Sequence, residues 1–124
     1  MTNTKKIFLS LITLTLITSC SKLREYSQQE ENDFKHVRIL NNDSGLNMNN
    51  CSFIKTLEID NRGGDNMFNY VEGDYTHAIK ELQFKSNKEG ANVAVIDKIQ
   101  EPYVDAYLNY HVSYSIRARI FKCN

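Results

Sequence analysis

The chain has 124 residues, of which 41% are hydrophobic and 24% are charged, and this length allows one small domain. Its 15 Lys and Arg residues balance its 15 Asp and Glu residues, so it lacks the basic excess of a nucleic-acid binder and we expect no nucleic-acid partner. The same balance excludes an acidic disordered tail.

The first 19 residues have the pattern of an export signal. Lys5 and Lys6 precede an apolar run over residues 7–17, which is shorter than the roughly 20 residues needed to span a bilayer. The run ends in Ile17-Thr18-Ser19-Cys20, which resembles the lipobox of bacterial lipoproteins. The resemblance implies that residues 1–19 are a lipoprotein signal peptide and that Cys20 receives diacylglycerol. A buried helix or strand is the alternative for this segment.

A lipid at Cys20 predicts a membrane anchor, because two buried acyl chains hold a protein stably on a bilayer. Ser21 follows Cys20, and by resemblance to enteric-type sorting this residue favours the outer membrane, with the domain in the periplasm. Residues 20–34 are polar and lack a periodic apolar stripe, so we interpret them as the lipidated cysteine and a tether. Cleavage before Cys20 removes Lys5 and Lys6 and no acid, leaving 13 basic against 15 acidic residues. We expect this mildly acidic domain to stand off from anionic headgroups.

Residues 35–124 predict a small domain of four strands and one helix. Strand patterns cover residues 35–40, 51–60, 93–99 and 110–120. Between the second and third strands, apolar residues at helical spacing begin at Val71, with Asp74 as the N-cap and Gly90 as the left-handed stop. The segments 41–50, 61–66 and 100–109 are interpreted as loops, because they are rich in turn residues or contain the only proline.

Two cysteines remain once Cys20 is lipidated, namely Cys51 and Cys123. An even number of cysteines in an exported chain predicts one disulfide. Metal ligation is the alternative, but it needs about four ligands. The three histidines fall at no short metal-binding spacing: His36, His77 and His111.

This disulfide joins the start of the second strand to the end of the fourth, so it predicts that these strands are antiparallel neighbours. The resulting fold is an α/β, or α+β, two-layer sandwich of one helix on a mixed four-stranded sheet in the order 1-2-4-3, with a right-handed crossover. The two cysteines differ in parity relative to the apolar faces of their strands. We therefore expect a one-residue bulge between Ile120 and Cys123, which places Phe53 opposite Ile120 and Thr56 opposite Arg117.

The sequence contains no nucleophile elbow, no zinc-protease motif and no pair of free thiol and histidine, so we expect no enzyme, no metal and no cofactor. The polar face of the fourth strand instead carries five hydrogen-bonding side chains: His111, Ser113, Ser115, Arg117 and Arg119. One interpretation is an ordinary solvated face of a half-exposed sheet. The other is a docking surface on which Arg117 and Arg119 bind carboxylates of a partner.

A further resemblance rests on the order of short motifs along the chain. After the lipobox come Val37-Arg38-Ile39-Leu40, Cys51, Gly90-Ala91-Asn92-Val93 and Phe121-Lys122-Cys123. This order resembles a family of uncharacterised bacterial lipoproteins and is more distantly similar to the Rcs-type outer-membrane stress-sensor lipoproteins. The resemblance implies a small disulfide-bonded α/β domain on a lipid tether.

We therefore expect a non-enzymatic envelope lipoprotein that contacts the membrane through its lipid and binds an envelope protein, with stress sensing as one role. A small-ligand or cell-wall binder is the alternative, and an enzyme is a third hypothesis. A pocket with convergent polar groups favours the last two.

Overall fold

The computed structural model describes residues 23–47, 49–62 and 72–124. The predicted signal peptide, the predicted lipidation site Cys20, Val71 and most of the predicted loop 61–66 lie outside the described residues. The described part is an α+β fold with two α-helices and a mixed four-stranded sheet, whereas the sequence predicted one helix.

Helix α1 (Gln28–Phe34) lies inside the segment that we interpreted as a tether. A capping box starts it: Ser27 accepts a hydrogen bond from the backbone of Glu30, and the Glu30 side chain accepts one from the backbone of Ser27. Phe34, the one apolar residue of this helix, is buried. The folded body therefore begins before residue 35.

Helix α2 (Tyr75–Lys88) begins and ends where the sequence predicted. The Asp74 side chain accepts from the backbone N–H of His77, and Gly90 follows the helix with φ +82°. Ala78 and Leu82 face the sheet and are buried. Gly73 precedes the cap, and a Cβ there would lie 1.8 Å from the carbonyl oxygen of Asn61. Only glycine permits this close approach of two backbones.

The sheet has the order β1-β3-β6-β2, built from β1 (Arg38–Leu40), β2 (Cys51–Asn61), β3 (Val93–Gln100) and β6 (Tyr114–Cys123). The short strands β4 (Tyr103–Val104) and β5 (Tyr110–His111) form a separate hairpin. The predicted arrangement of three strands is confirmed, because β6 lies between β2 and β3 and is antiparallel to both. In these labels the predicted order 1-2-4-3 is β1-β2-β6-β3. It is wrong in the position of β1, which lies beside β3 and not beside β2. This strand pairs in parallel with β3, where the backbone N–H of Arg38 donates to the carbonyl of Asn92.

The bulge also differs from the prediction. The pairing of β2 with β6 shifts between Phe53 and Lys55, so the extra residue lies in β2 and not between Ile120 and Cys123. Phe53 pairs with Phe121 rather than with Ile120, and Thr56 pairs with Arg119 rather than with Arg117. The bulge turns Cys51 and Phe53 away from α2, which brings them to the face that carries Phe121 and Cys123.

Apolar side chains cover one face of the sheet and one end of the other face. The larger cluster lies between the sheet and α2 and includes Ile59, Ala78, Leu82, Ile116, Ala118 and Ile120. The smaller cluster lies on the other face at the disulfide end and joins Val93, Val95 and Phe121 to Leu40, Leu46 and the two cysteines. The rest of that second face remains polar and carries the candidate site.

Candidate interaction surface

The disulfide Cys51–Cys123 is formed, with a Cα–Cα distance of 4.0 Å and a sequence separation of 72 residues. It closes the ends of β2 and β6, which confirms the predicted pairing. Asn92 supports the same end, because its side chain donates to the carbonyl of Cys123 and accepts from the backbone N–H of Cys123, both at 2.7 Å. The disulfide and the two hydrogen bonds of Asn92 therefore hold one end of the sheet together.

Arg117 and Arg119, for which a docking role was one of two interpretations, lie on the polar face of β6 in different environments. Arg119 donates from Nε to both carboxylate oxygens of Asp97, at 2.9 and 3.1 Å, and from Nη2 to Asp43 at 3.4 Å. The hydrogen bond to Asp97 raises the pKa of the guanidinium above its usual value, and Asp43 adds to this effect. Arg119 thus joins β3, β6 and the short 3₁₀ helix at Asp43–Gly45.

Arg117 is held much more loosely. Its Nε lies 3.9 Å from a carboxylate oxygen of Glu58, which the β2–β6 pairing places directly opposite. The Arg117 side chain is 60% exposed. Such an exposed pair holds a guanidinium weakly. The N–H donors of Arg117 are therefore largely available, whereas Arg119 uses donors to bind Asp97 and Asp43.

A shallow groove runs along this face from Arg117 at one end to His111 at the other. It consists of two neighbouring depressions of about 350 and 450 Å³, which share Asp60, Gln100, Tyr103 and Ser115. Between them Ser115 Oγ donates to Asp60 Oδ1 at 2.8 Å. Beyond these shared residues, the lining includes Lys98 and Arg117 at one end and Arg62, His111 and Ser113 at the other.

One wall of the groove is a small hairpin made by β4 (Tyr103–Val104) and β5 (Tyr110–His111). The rings of Tyr103 and His111 stack across it with centroids 4.4 Å apart. The hydroxyl of Tyr110 donates to Glu72, which ties the hairpin to the segment before α2. From the sequence, most of this region was predicted to be a loop (residues 100–109). The Tyr, Val and Leu side chains concentrated in this region are the sequence feature that could have indicated an exposed apolar surface.

Asp105 holds the turn of the hairpin. Its side chain accepts from the backbone N–H groups of Tyr107 and Asn109 at 2.9 and 3.0 Å, and the ring of His111 donates to it at 2.9 Å. The hydrogen bond from His111, followed by that from Asn109, lowers the pKa of the Asp105 carboxyl to about 2. This network supports Leu108 at φ +63°, a backbone conformation that costs roughly 1–2 kcal/mol for a residue with a Cβ.

The tip of this turn presents apolar side chains to solvent. Tyr107 is 86% exposed and Leu108 is 85% exposed. Of the eight large hydrophobic residues that are exposed in the described part of the chain, five belong to the hairpin: Tyr103, Val104, Tyr107, Leu108 and Tyr110. A concentration of this kind is typical of contact surfaces, whereas single exposed apolar residues are ordinary.

The remaining candidates lie apart from this surface. His77 contacts Asp74 at the start of α2, and within residues 23–47, 49–62 and 72–124 no three metal-ligating side chains come together. In the same residues no helix is long and apolar enough to cross a bilayer.

Comparisons with protein-family models, curated proteins and solved structures found no match to this chain.

Proposed function

We propose that this protein is a lipid-anchored bacterial envelope lipoprotein, held on the outer membrane through Cys20, whose periplasmic domain is a non-enzymatic protein-interaction module. The observation that carries this proposal is the exposed pair Tyr107 and Leu108 at the tip of a hairpin whose turn is held by Asp105. Its partner is an envelope protein with an apolar pocket, and sensing of envelope stress is the role that the motif resemblance suggests.

Export is supported by two independent features. Residues 1–20 have the order of charged residues, apolar run and lipobox that directs lipoproteins across a membrane. Cys51 and Cys123 form a disulfide, which is typical of oxidising compartments such as the periplasm.

The hairpin suits protein recognition because its binding groups are preorganised. Tyrosine supplies a large contact area with only two side-chain torsions, and it is enriched among the residues that dominate interface energies. The Asp105 network fixes the turn before any partner arrives, so less conformational entropy is lost on binding. Arg117 lines the groove beside Tyr103, so a carboxylate of the partner can bind there while the tip is engaged.

The bonding of Asp105 supports an interaction role over an enzymatic one. Its carboxyl has the lowered pKa that often marks a catalytic group. Yet its hydrogen bonds run to Tyr107, Asn109 and His111, all within the hairpin. The hydrogen bonds of the Asp105 carboxylate therefore serve to hold the turn.

The test is site-specific photocrosslinking in the native envelope. A photoreactive phenylalanine analogue at Tyr107 is expected to give one discrete adduct that disappears when Leu108 is changed to Ser. The same analogue at exposed Lys122, far along β6, serves as the matched control. Identical adducts from both positions, or adducts unchanged by Leu108→Ser, would show that the hairpin is not the docking surface.

The anchor has its own test, because Cys20→Ala removes the acyl-accepting thiol. The variant is expected to incorporate no fatty-acid analogue during metabolic labelling and to accumulate unprocessed or mislocalised protein. Label that persists on Cys20→Ala would refute the lipobox assignment.

A second candidate function, binding of a small ligand or of cell-wall fragments, is favoured by the polar groove. Its larger depression of about 450 Å³ has the size of a ligand site and brings Asp60, Gln100 and Ser113 together. Titration with soluble peptidoglycan fragments, followed by NMR, separates the two functions. Shifts confined to groove residues support ligand binding, whereas an unperturbed groove favours protein docking alone.

A further inference from the structure

The segment before α1 packs onto α2 instead of extending from the domain. The Tyr26 ring lies 5.2 Å from the rings of Phe34 and Phe84, and the guanidinium carbon of Arg24 lies 4.3 Å from the Phe84 centroid. Lys80 of α2 donates to Glu31 of α1 at 2.6 Å. The chain is therefore attached to the body of the domain from Arg24 onward.

This attachment shortens the reach of the proposed lipid anchor. Cys20 and Arg24 are four residues apart, which corresponds to at most about 14 Å between their Cα atoms whatever path the chain takes. A tether over residues 20–34 would have allowed several times that distance. A diacylglycerol on Cys20 thus brings the surface around Arg24 close to the lipid headgroups, at a distance comparable to the Debye length of about 8–10 Å.

The surface at this position combines aromatic and cationic side chains, and we call it the Phe84 surface: Arg24, Tyr26, Phe84, Lys85 and Lys88. Phe84 lies between two cations, because Lys88 Nζ is 4.6 Å from its centroid on α2 while Arg24 approaches from the N-terminal segment. Amphipathic tyrosine and long basic side chains are the groups that proteins place at membrane interfaces.

Two of the three cations of this surface are paired within the domain. Glu30 pairs with Arg24 at 3.2 Å and Glu81 pairs with Lys85 at 3.3 Å, while Glu25 adds an exposed carboxylate next to Arg24. Lys88 forms no ion pair with any described residue and is exposed, so its ammonium is available to a phosphate. The attraction to headgroups is therefore local to Lys88 and does not follow from the net charge.

We propose that the Phe84 surface is the membrane-contacting surface of the domain and that Lys88 binds phosphate groups of the phospholipid headgroups. This inference rests on the proposed lipidation of Cys20. It replaces the expectation that the domain stands off from the bilayer with a fixed orientation against it.

The hairpin lies at the other end of the sheet from Lys88. Helix α2 ends at Lys88 and β3 begins five residues later at Val93, so β3 starts near the Phe84 surface. The eight residues of β3 then run about 26 Å to the other end of the sheet, where Tyr103 begins the hairpin. Tyr107 and Leu108 at the tip of the hairpin are therefore far from Lys88 along the sheet, and position 107 serves as the distant reference in the test.

The test uses the absence of Trp from this chain, because a single introduced Trp reports one position alone. Lipidated full-length protein carrying Asn87→Trp, next to Lys88, is compared with protein carrying Tyr107→Trp at the hairpin tip. Both are bound to phosphatidylcholine and phosphatidylglycerol vesicles that contain brominated lipid. We expect bromine to quench most of the fluorescence at position 87 and none at position 107. Adding Lys88→Glu to Asn87→Trp is expected to reduce that quenching.

Vesicle flotation, measured on the same samples, separates the outcomes. Protein that floats with the vesicles but shows equal quenching at both positions, or more at position 107, overturns the orientation and leaves the lipid anchor intact. Protein that does not float refutes the anchor and the orientation together. Circular dichroism of each variant identifies any loss of fold, and Glu89→Trp on the same turn provides a second reporter if Asn87→Trp misfolds.

Discussion

Asp105 and His111 face each other across the β4–β5 hairpin, with Asp105 Oδ2 2.9 Å from His111 Nε2. The same carboxyl accepts two backbone N–H groups, so a single side chain connects both strands and the turn. Because Tyr103 stacks on His111, the network continues from the tip to the wall of the groove. The hairpin and the groove thus form one preorganised surface.

Acidification is expected to release this turn. The Asp105 pKa is lowered from 3.8 to about 2, so the carboxylate stabilises the folded hairpin above pH 3.8 and this contribution is lost as the pH falls through about 2. Amide proton shifts of Tyr107 and Asn109, followed by NMR, should titrate with a midpoint near the lowered pKa. In Asp105→Asn the step should be absent. A midpoint at the ordinary value of 3.8 would contradict the hydrogen bonding of Asp105.

The left-handed backbone of Leu108 predicts opposite effects for two substitutions. Leu108→Asn should stabilise the domain by about 0.5–1 kcal/mol, because Asn tolerates φ +63° and the exposed leucine loses no burial. Leu108→Val should destabilise it, since a β-branched residue is poorly suited to positive φ. Urea unfolding of both variants measures the difference. Equal midpoints would indicate that the turn relaxes in solution.

The arrangement of β2, β3 and β6 was predictable because a covalent bond between strand ends leaves few topologies. The place of β1 was not, since a three-residue strand fits either edge and its partner depends on the contact between Arg38 and Asn92. The parity of Cys51 and Cys123 showed that a bulge exists but not which strand carries it. Helix α1 has one buried apolar residue, so periodicity missed it, while the capping box at Ser27 and Glu30 was readable.

The different environments of Arg117 and Arg119 could not be predicted from the sequence either. Arg117 and Arg119 share one face of β6, and alternation correctly placed both there. Which of them is engaged depends on Asp97 and Asp43, which come from two other elements. A strand pattern contains no information about those contacts.

Removal of the disulfide should destabilise the domain by about 4 kcal/mol on the loop-entropy estimate, because Cys51 and Cys123 close a long loop. In Cys123→Ala the melting temperature is expected to fall by more than about 10 °C. The double variant Cys51→Ala with Cys123→Ala should match it, which separates loss of the bond from effects of an unpaired thiol. Two alkylatable thiols in freshly isolated wild-type protein would contradict the bond.

Alanine substitutions at Gly73 and Gly45 compare a position with a closely approaching backbone with one that has room for a Cβ. Gly73→Ala should cost about 1–3 kcal/mol, because its Cβ would overlap the backbone of Asn61 and Tyr114. In Gly45→Ala the nearest atom, Leu40 Cδ1, lies at an ordinary 3.8 Å, so stability should change by less than about 0.5 kcal/mol. Thermal melts of the two variants test this contrast. A stable Gly73→Ala would show that the segment before α2 can shift.

Arg117 and Arg119 should separate binding from folding. Arg117→Ala removes a loosely paired guanidinium, so stability should change by about 0–1 kcal/mol while the crosslink from position 107 weakens. Arg119→Ala leaves Asp97 and Asp43 without their cation, so the urea midpoint should fall, whereas the folded fraction should still crosslink. Lys122→Ala controls for the loss of one surface charge. If Arg119→Ala abolished the adduct at an unchanged midpoint, Arg119 would contact the partner directly and its bonds to Asp97 and Asp43 would have to open on binding.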